Sequence, residues 1–396
     1  MGPDEGPTAR GGDMKKRTVL FAALIGIAVA LVLGYGLWRC ADRPLTGVQA
    51  VDSSIAAYDV IGADAGRGNF VAIQPWMVPG DYANPETLFA KLDGYFAAAK
   101  AKGWLNAKTI VVLPEYIGSW LAASDEPASV YTAANAGPAM ATLALTHPLA
   151  FLHWYLSAPA VADKAEWTLF TLNSKGMARD YQSIFGRLAK KYAVTLVAGS
   201  IVLPQPRLDH GRIAVTPGGK LYNVSALFTP DGTIMGPLVF KAYPIAEEQA
   251  FLAAGKVSDI PAFDTPDGKL VVLICADSWY PPAYKRIAEL HAQLLAIPSY
   301  STVDNSWAAP WPGYDGQPAP AGVNLHDIGK ITLGEAWLKY SMGGRAGAAG
   351  IVSGVNVFLR GKLWDLGTDG NTISYRDGKA SHVAARNGAI LVNQWL

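Results

Sequence analysis

The chain has 396 residues, of which 51% are apolar and 16% charged, with a net charge of +1. A chain this long buries a large core, as one big domain or as two or three smaller ones. The near-zero charge gives no electrostatic footprint for nucleic acid or for acidic partners. Its two cysteines, Cys40 and Cys275, lie far apart in sequence, so a structural disulfide is not expected and a cysteine-based zinc site is excluded.

Residues 1–17 are polar and Gly/Pro-rich and read as a disordered tail, with Met14-Lys15-Lys16-Arg17 resembling a natural start. Thr18 to Trp38 is an unbroken apolar run without a charge. About 20 such residues cross a bilayer, whereas the apolar core of a cleaved signal peptide is usually ~7–15 residues. No Ala-x-Ala site follows, and Leu37-Trp38-Arg39-Cys40 lacks the small residues a lipoprotein site needs. The run is therefore expected to be an uncleaved transmembrane helix over 18–38. Arg10, Lys15, Lys16 and Arg17 precede it, against Arg39 and Arg43 after it. The positive-inside rule then leaves the tail cytoplasmic and the remainder on the extracytoplasmic side of the cell membrane.

Residues 39–68 read as a linker and 69–396 as the folded domain. Strands are expected at Asn69–Pro75, Thr109–Glu115 and Val194–Val202, with helices at Glu86–Lys102 and Arg179–Lys191. Leu221–Phe228 and Ile234–Phe240 flank the turn Pro230-Asp231-Gly232 and predict a hairpin. Lys269–Ile274 is a run of branched apolar residues, read as a fully buried strand. A helix at Tyr284–His291 and strands at Gln293–Pro298, Gly350–Leu359 and Ala389–Trp395 complete the pattern. Strands alternating with helices, then hairpins, indicate an α/β layered domain. There is no repeat of fixed period and no Gly-rich phosphate loop.

Three chemistry-bearing residues each follow an apolar strand: Glu115, Lys241 and Cys275. A thiol is a poor nucleophile until deprotonated. Glu115 suits that task if partly desolvated, because burial raises a carboxyl pKa towards neutrality. Attack on a carbonyl or nitrile carbon builds negative charge, which Lys241 and a backbone N–H beside Cys275 would stabilise, such donors contributing roughly 3–4 kcal/mol each. Singly, each residue has an ordinary alternative: a small buried thiol, a surface strand end, a solvated charge. Together they describe one site.

These residues and their flanks resemble the nitrilase, or carbon–nitrogen hydrolase, superfamily. Leu113-Pro114-Glu115, Leu221-Tyr222-Asn223 running through Asp231-Gly232 into Lys241, and Ile274-Cys275 carry the resemblance. So do Lys241–Gln249, similar to the family's lysine loop, and Asp365–Ile373, similar to its late Gly-rich turn. The resemblance implies a four-layer α-β-β-α sandwich preceded here by the single N-terminal transmembrane helix. It implies Glu115 as general base, Lys241 stabilising the tetrahedral intermediate and Cys275 forming a thioester or thioimidate. Glu248, seven residues after Lys241, is the expected second glutamate that positions the lysine or the substrate, with Glu247 as the alternative. It also implies a small amide or nitrile as substrate, no metal or organic cofactor, and a homodimer or higher homo-oligomer.

Two features depart from the pattern. Nitrilases carry Trp-Glu after the cysteine, whereas this chain has Ala276-Asp277, so the motif does not separate amide from nitrile; amide is favoured as the commoner activity. The gap between Glu115 and Lys241 is also long, with an insertion around 120–170. Its apolar segment Met140–Leu156 has three readings: a packing or oligomer-interface helix pair, a lid, or an element dipping into the bilayer. Pro148 argues against a second span, and His147 and His153 are expected to be incidental to catalysis. The Pro/Trp/Gly-rich stretch 307–322 is either part of the pocket mouth or a surface loop. The expected function is a membrane-anchored carbon–nitrogen hydrolase. The alternatives are an N-acyltransferase passing the acyl group to an amine, as in lipoprotein N-acyltransferases, and a non-catalytic assembly module.

Overall fold

The computed structural model describes residues 10–41, 43, 50–314 and 317–396. The chain divides into two compact units, 1–43 and 44–396.

In the first unit, helix α1 spans Arg10–Cys40, so helix already occupies the second half of the segment read as a disordered tail. Residues 1–9 lie outside the described residues. The apolar stretch Lys16–Cys40 is 25 residues long, about 37 Å at 1.5 Å per residue. That length and composition fit a membrane span or a signal sequence.

The second unit opens with strand β1 (Ile55–Ile61), which corrects the reading of 39–68 as a linker; residues 42 and 44–49 lie outside the described residues. β1 is an edge strand, half-buried on one face and exposed on the other. Among the described residues its one strand neighbour is the last strand of the chain, so its signal in local sequence is weak. After it come β2 (Asn69–Gln74), α2 (Pro85–Ala101) and β3 (Thr109–Val112). The insertion is helical, with α3 (Ala128–Thr132), α4 (Ala136–Thr146), α5 (Pro148–Ser157) and α6 (Lys164–Leu172). Pro148 stands at the first position of α5, where its missing N–H breaks no helical bond, and so it separates α4 from α5. His147 Nε2 lies 2.6 Å from Glu126 Oε1, joining the start of the insertion to this junction.

Next come α7 (Ser174–Tyr192), β4 (Thr195–Val197), β5 (Ile201–Pro204), β6 (Leu221–Ser225), β7 (Leu227–Phe228) and β8 (Val239–Phe240). The single strand expected over Val194–Val202 is broken at Gly199, whose φ is +63°, and its halves enter different sheets. The expected hairpin forms: β6 pairs antiparallel with β8 and Phe228 bridges Ile234, while β7 also pairs with β4 and so links the hairpin to the first sheet. The short helix α8 (Ala246–Gln249) leads to β9 (Ala262–Thr265), β10 (Gly268–Val272), α9 (Pro281–Glu289) and β11 (Leu294–Ser299). The chain ends with α10 (Leu333–Tyr340), β12 (Ser353–Phe358), β13 (Ile373–Arg376), β14 (Lys379–His382) and β15 (Ala389–Trp395).

Among the described residues the main sheets of the unit are two six-stranded ones, in the orders β1-β15-β2-β3-β4-β7 and β9-β10-β11-β12-β13-β14, and a three-stranded sheet β8-β6-β5. The central strands of each are parallel, β2-β3-β4 and β10-β11-β12, which explains their near-continuous apolar sequences. Alternation along β2 and β3 sends Val71, Ile73 and Val111 into a core with Leu92 and Phe96 of α2 and Ile184 and Phe185 of α7. The intervening Phe70, Ala72, Ile110 and Val112 enter a second core with Val272, Ala296 and Val355 of the other sheet. That second core also takes Ile287 of α9 and Trp337 of α10. A one-residue slip in register would exchange these two sets, so the pairing is held by both cores.

Candidate active site

The ends of three buried strands deliver the side chains singled out in the sequence. β3 continues into Leu113, whose N–H donates to Val197 O at 3.0 Å, and Glu115 follows two residues on. Its loop is braced by Gly199, where a Cβ would come within 2.0 Å of the Pro114 carbonyl oxygen; only glycine allows this approach. The next residue, Tyr116, has φ +61° and donates its backbone N–H to Ser200 Oγ at 2.9 Å. Lys241 leaves β8 with its N–H on Asn223 O at 2.9 Å. Beyond β10, Leu273 N–H donates to Ala296 O at 3.1 Å, and Cys275 opens a tight turn at φ +49°. Left-handed backbone at two non-glycine residues, each beside or within the reacting set, is strain of the kind that over-determined sites retain.

These groups meet. Lys241 Nζ lies 2.8 Å from Glu115 Oε1 and 2.6 Å from Glu248 Oε2, and all three side chains are buried. Of the two expected candidates it is therefore Glu248 that bonds the lysine; Glu247 lines the same cavity but is exposed. Glu248 is fixed further by Ile245 N–H at 2.9 Å and Tyr116 OH at 2.7 Å. Asn223 Nδ2 donates to Glu115 Oε1 at 2.9 Å. Cys275 Sγ lies 3.6 Å from Tyr300 O and opens onto a cavity of about 610 Å³ shared with Glu115, Lys241 and Glu248.

The electrostatics follow from burial. Burial pushes Glu115 up to about 7; Lys241 opposes this and Glu248 adds to it. Burial alone would lower Lys241, but Glu115 and Glu248 outweigh it and hold the ammonium well above the ordinary lysine value. Burial, with Glu115 next, pushes the Cys275 thiol up, while Lys241 draws it down. The arrangement thus favours the neutral form of the thiol, beside a carboxyl group that burial pushes up to about 7 and an ammonium that two carboxylates keep charged. Such a set can transfer a proton from sulfur and stabilise an anion developing next to it. Among the described residues, no group of three His, Cys, Asp or Glu side chains could hold a metal ion.

Sequence reasoning did not assign Asn223, Tyr116 or Asp277 to the site. Asn223 stands in the segment Leu221-Tyr222-Asn223 that carries the resemblance, within a strand that ends in the polar Ser225. Asp277 is fully buried. Its Oδ1 accepts from Ala242 N–H at 2.9 Å and Tyr243 N–H at 2.8 Å, and its Oδ2 from Ile274 N–H at 3.1 Å. Burial pushes this carboxyl up to about 7, against Lys241 and the three N–H groups that favour its charge. Asp277 therefore ties the loop after Lys241 to the turn that carries Cys275. Of the stretch 307–322, Ala309–Tyr314 and Gln317 line the cavity, whereas Trp307 is buried against Phe358; residues 315 and 316 lie outside the described residues.

This chain belongs to the carbon-nitrogen hydrolase family, whose model matches residues 71–314. Among curated proteins it is similar to the Probable hydrolase YhcX of Bacillus subtilis (strain 168), 29% identical over 119 residues. The match spans 30% of this chain and 20% of that relative's length. Among solved structures it is similar to a double mutant of the amidase from Nesterenkonia sp. AN1 in complex with acrylamide. The TM-score is 0.50 at 14% identity, covering 84% of this chain and 92% of that one. A single mutant of the same amidase, of the nitrilase superfamily, also gives 0.50 at 14% identity over 83% and 90%. At this identity the likeness concerns the fold.

The Asp277 clamp makes a measurable claim. Asp277→Ala is expected to lower unfolding free energy by about 3 kcal/mol, because three buried N–H groups lose their acceptor. Asp277→Asn, which turns a donor towards Ile274 N–H, is expected to cost about half as much. Denaturant midpoints at constant m-value test this; a change below about 0.5 kcal/mol for both variants would show that the contact does not hold the loops.

Proposed function

We propose that the chain is a membrane-anchored cysteine amidase, with its layers arranged α-β-β-α and its catalytic domain on the extracytoplasmic side. The observation that carries the catalytic reading is the meeting of Glu115, Lys241 and Cys275 at one cavity. The amidase of like fold supports amide over nitrile.

In this reading the Cys275 thiol attacks the carbonyl carbon while Glu115 takes its proton. A carbon–sulfur bond forms and the carbonyl electron pair moves onto oxygen, where Lys241 and the Ala276 N–H stabilise it. The intermediate collapses with cleavage of the carbon–nitrogen bond. Glu115 gives its proton to the departing nitrogen, and ammonia or an amine leaves. Water then attacks the thioester and passes a proton to Glu115; the carbon–sulfur bond breaks, the acid departs and sulfur regains its proton. Glu248 acts through Lys241 and Tyr116, keeping the ammonium against the reacting carbon.

The pH dependence tests this assignment. Glu115 must be deprotonated to act as base, so kcat/KM is expected to fall about tenfold per pH unit below a limb near 7. Because Glu248 raises Glu115, Glu248→Gln is expected to move that limb to lower pH. Glu115→Gln should remove both the limb and nearly all turnover. A profile flat across the limb, or unaltered in Glu115→Gln, would refute Glu115 as the base.

The anchor reading rests on α1, whose stretch Lys16–Cys40 is long and apolar enough to span, and on the excess of Lys and Arg before it. Alkaline extraction should leave the protein in the membrane pellet, and protease added from the extracytoplasmic side should digest the catalytic domain. Recovery of a soluble chain cleaved after the helix would refute the anchor.

A further inference from the structure

The charge on the cavity wall is unbalanced. Glu115 and Glu248 share Lys241, but Glu166, Glu247 and Asp304 also line the space, and Lys241 is the only cationic side chain among the described lining residues. Of these three, Glu247 is exposed, and Asp304 accepts from Thr368 N–H at 2.9 Å. Glu166 differs from both. It sits in the first turn of α6, within the inserted segment, with its backbone N–H held by Asp163 Oδ1 at 2.8 Å. Its carboxylate has no hydrogen bond or ion pair to any described residue. Burial, then the neighbouring carboxylates Asp163 and Glu248, push it up to about 7. A half-buried carboxylate facing like charges without a counter-ion is stabilised by any cation that enters.

The rest of the wall suits an organic cation. Tyr243 stacks on Tyr280 with centroids 4.0 Å apart, and Tyr314 stands edge-on to Tyr280 and to Trp279, which is backed by the buried Trp311. All of them line the cavity. Aromatic faces combined with carboxylates bind alkylammonium groups, each face contributing roughly 0.5–2 kcal/mol. An anionic substrate would meet repulsion, and a wholly apolar one would desolvate Glu166 without compensation.

We propose that the substrate is a small amide whose non-reacting end carries an ammonium or similar organic cation, and that Glu166 reads that charge in a cavity it shares with these aromatic rings. This rests on the amidase reading above. It assigns the insertion a part in specificity, and makes Glu166 a recognition residue outside the proton-transfer set.

The test uses the full chain in detergent and a series of ω-amino amides of increasing length, each paired with the amide ending in a methyl group at the same position. At one or more lengths the cationic member is expected to have at least a tenfold higher kcat/KM. Glu166→Gln should cut that ratio by roughly tenfold, through KM rather than kcat, with Glu166→Asp restoring part of it. A change in folding alone would lower both members together and leave the ratio intact. Methyl-ended amides equal or better at every length, or a ratio that survives Glu166→Gln, would overturn the proposal. Calorimetric binding of alkylammonium ions to Cys275→Ala, with the alcohols of equal length as control, separates the two claims. Ammonium binding that depends on Glu166, without turnover of any amide, would uphold the charge reading and sink the amidase reading. Turnover of neutral amides with no ammonium binding would do the reverse.

Discussion

An ammonium with almost no access to water must be paired or lose its charge, and Lys241 is paired twice, with Glu115 and Glu248. Desolvating such groups costs several kcal/mol per ion, which is offset only where geometry is good and the remaining lone pairs are satisfied. Here Asn223, Tyr116 and the Ile245 N–H satisfy them. The contact therefore constrains much more than three side chains. It requires the end of β3, the end of β8 and the short helix α8 to stay in register, because moving any one leaves a buried charge unpaired.

Cys275 is brought to the same place by different means. Its own turn is strained, and what holds it is Asp277, which accepts from the backbone on both sides of the gap between the nucleophile turn and the lysine loop. The position where the resemblance leads one to expect a glutamate thus carries a shorter carboxylate engaged entirely with the backbone. In the proposed mechanism the division is clear: Lys241, Glu115 and the thiol do the chemistry, Glu248 positions the lysine, and Asp277 and Gly199 set the loops that carry them.

Much of this was legible in the sequence because each reacting residue follows a run of branched apolar residues, so a buried strand and an abrupt polar end mark the same spot. Glu248 was legible through its spacing from Lys241, although spacing alone did not separate it from Glu247; the ion pair does. What stayed hidden is non-local. β1 pairs with residues near the C-terminus more than 300 positions away, and its exposed alternate positions give only a weak local pattern. The break at Gly199 depends on the approach of Pro114 from another loop. Glu166 reads in sequence as an ordinary charged residue at a helix start, and only the packing of α6 against the cavity reveals its lack of a counter-ion.

The central claim is that carbon–nitrogen cleavage passes through a covalent bond to Cys275. Mass spectrometry of the full chain, acid-quenched while turning over an amide, tests it most directly. The account predicts an added acyl mass on the peptide containing Cys275, with neither adduct nor turnover in a folded Cys275→Ala variant. Full turnover by that variant, or an acyl mass on another residue, would contradict it.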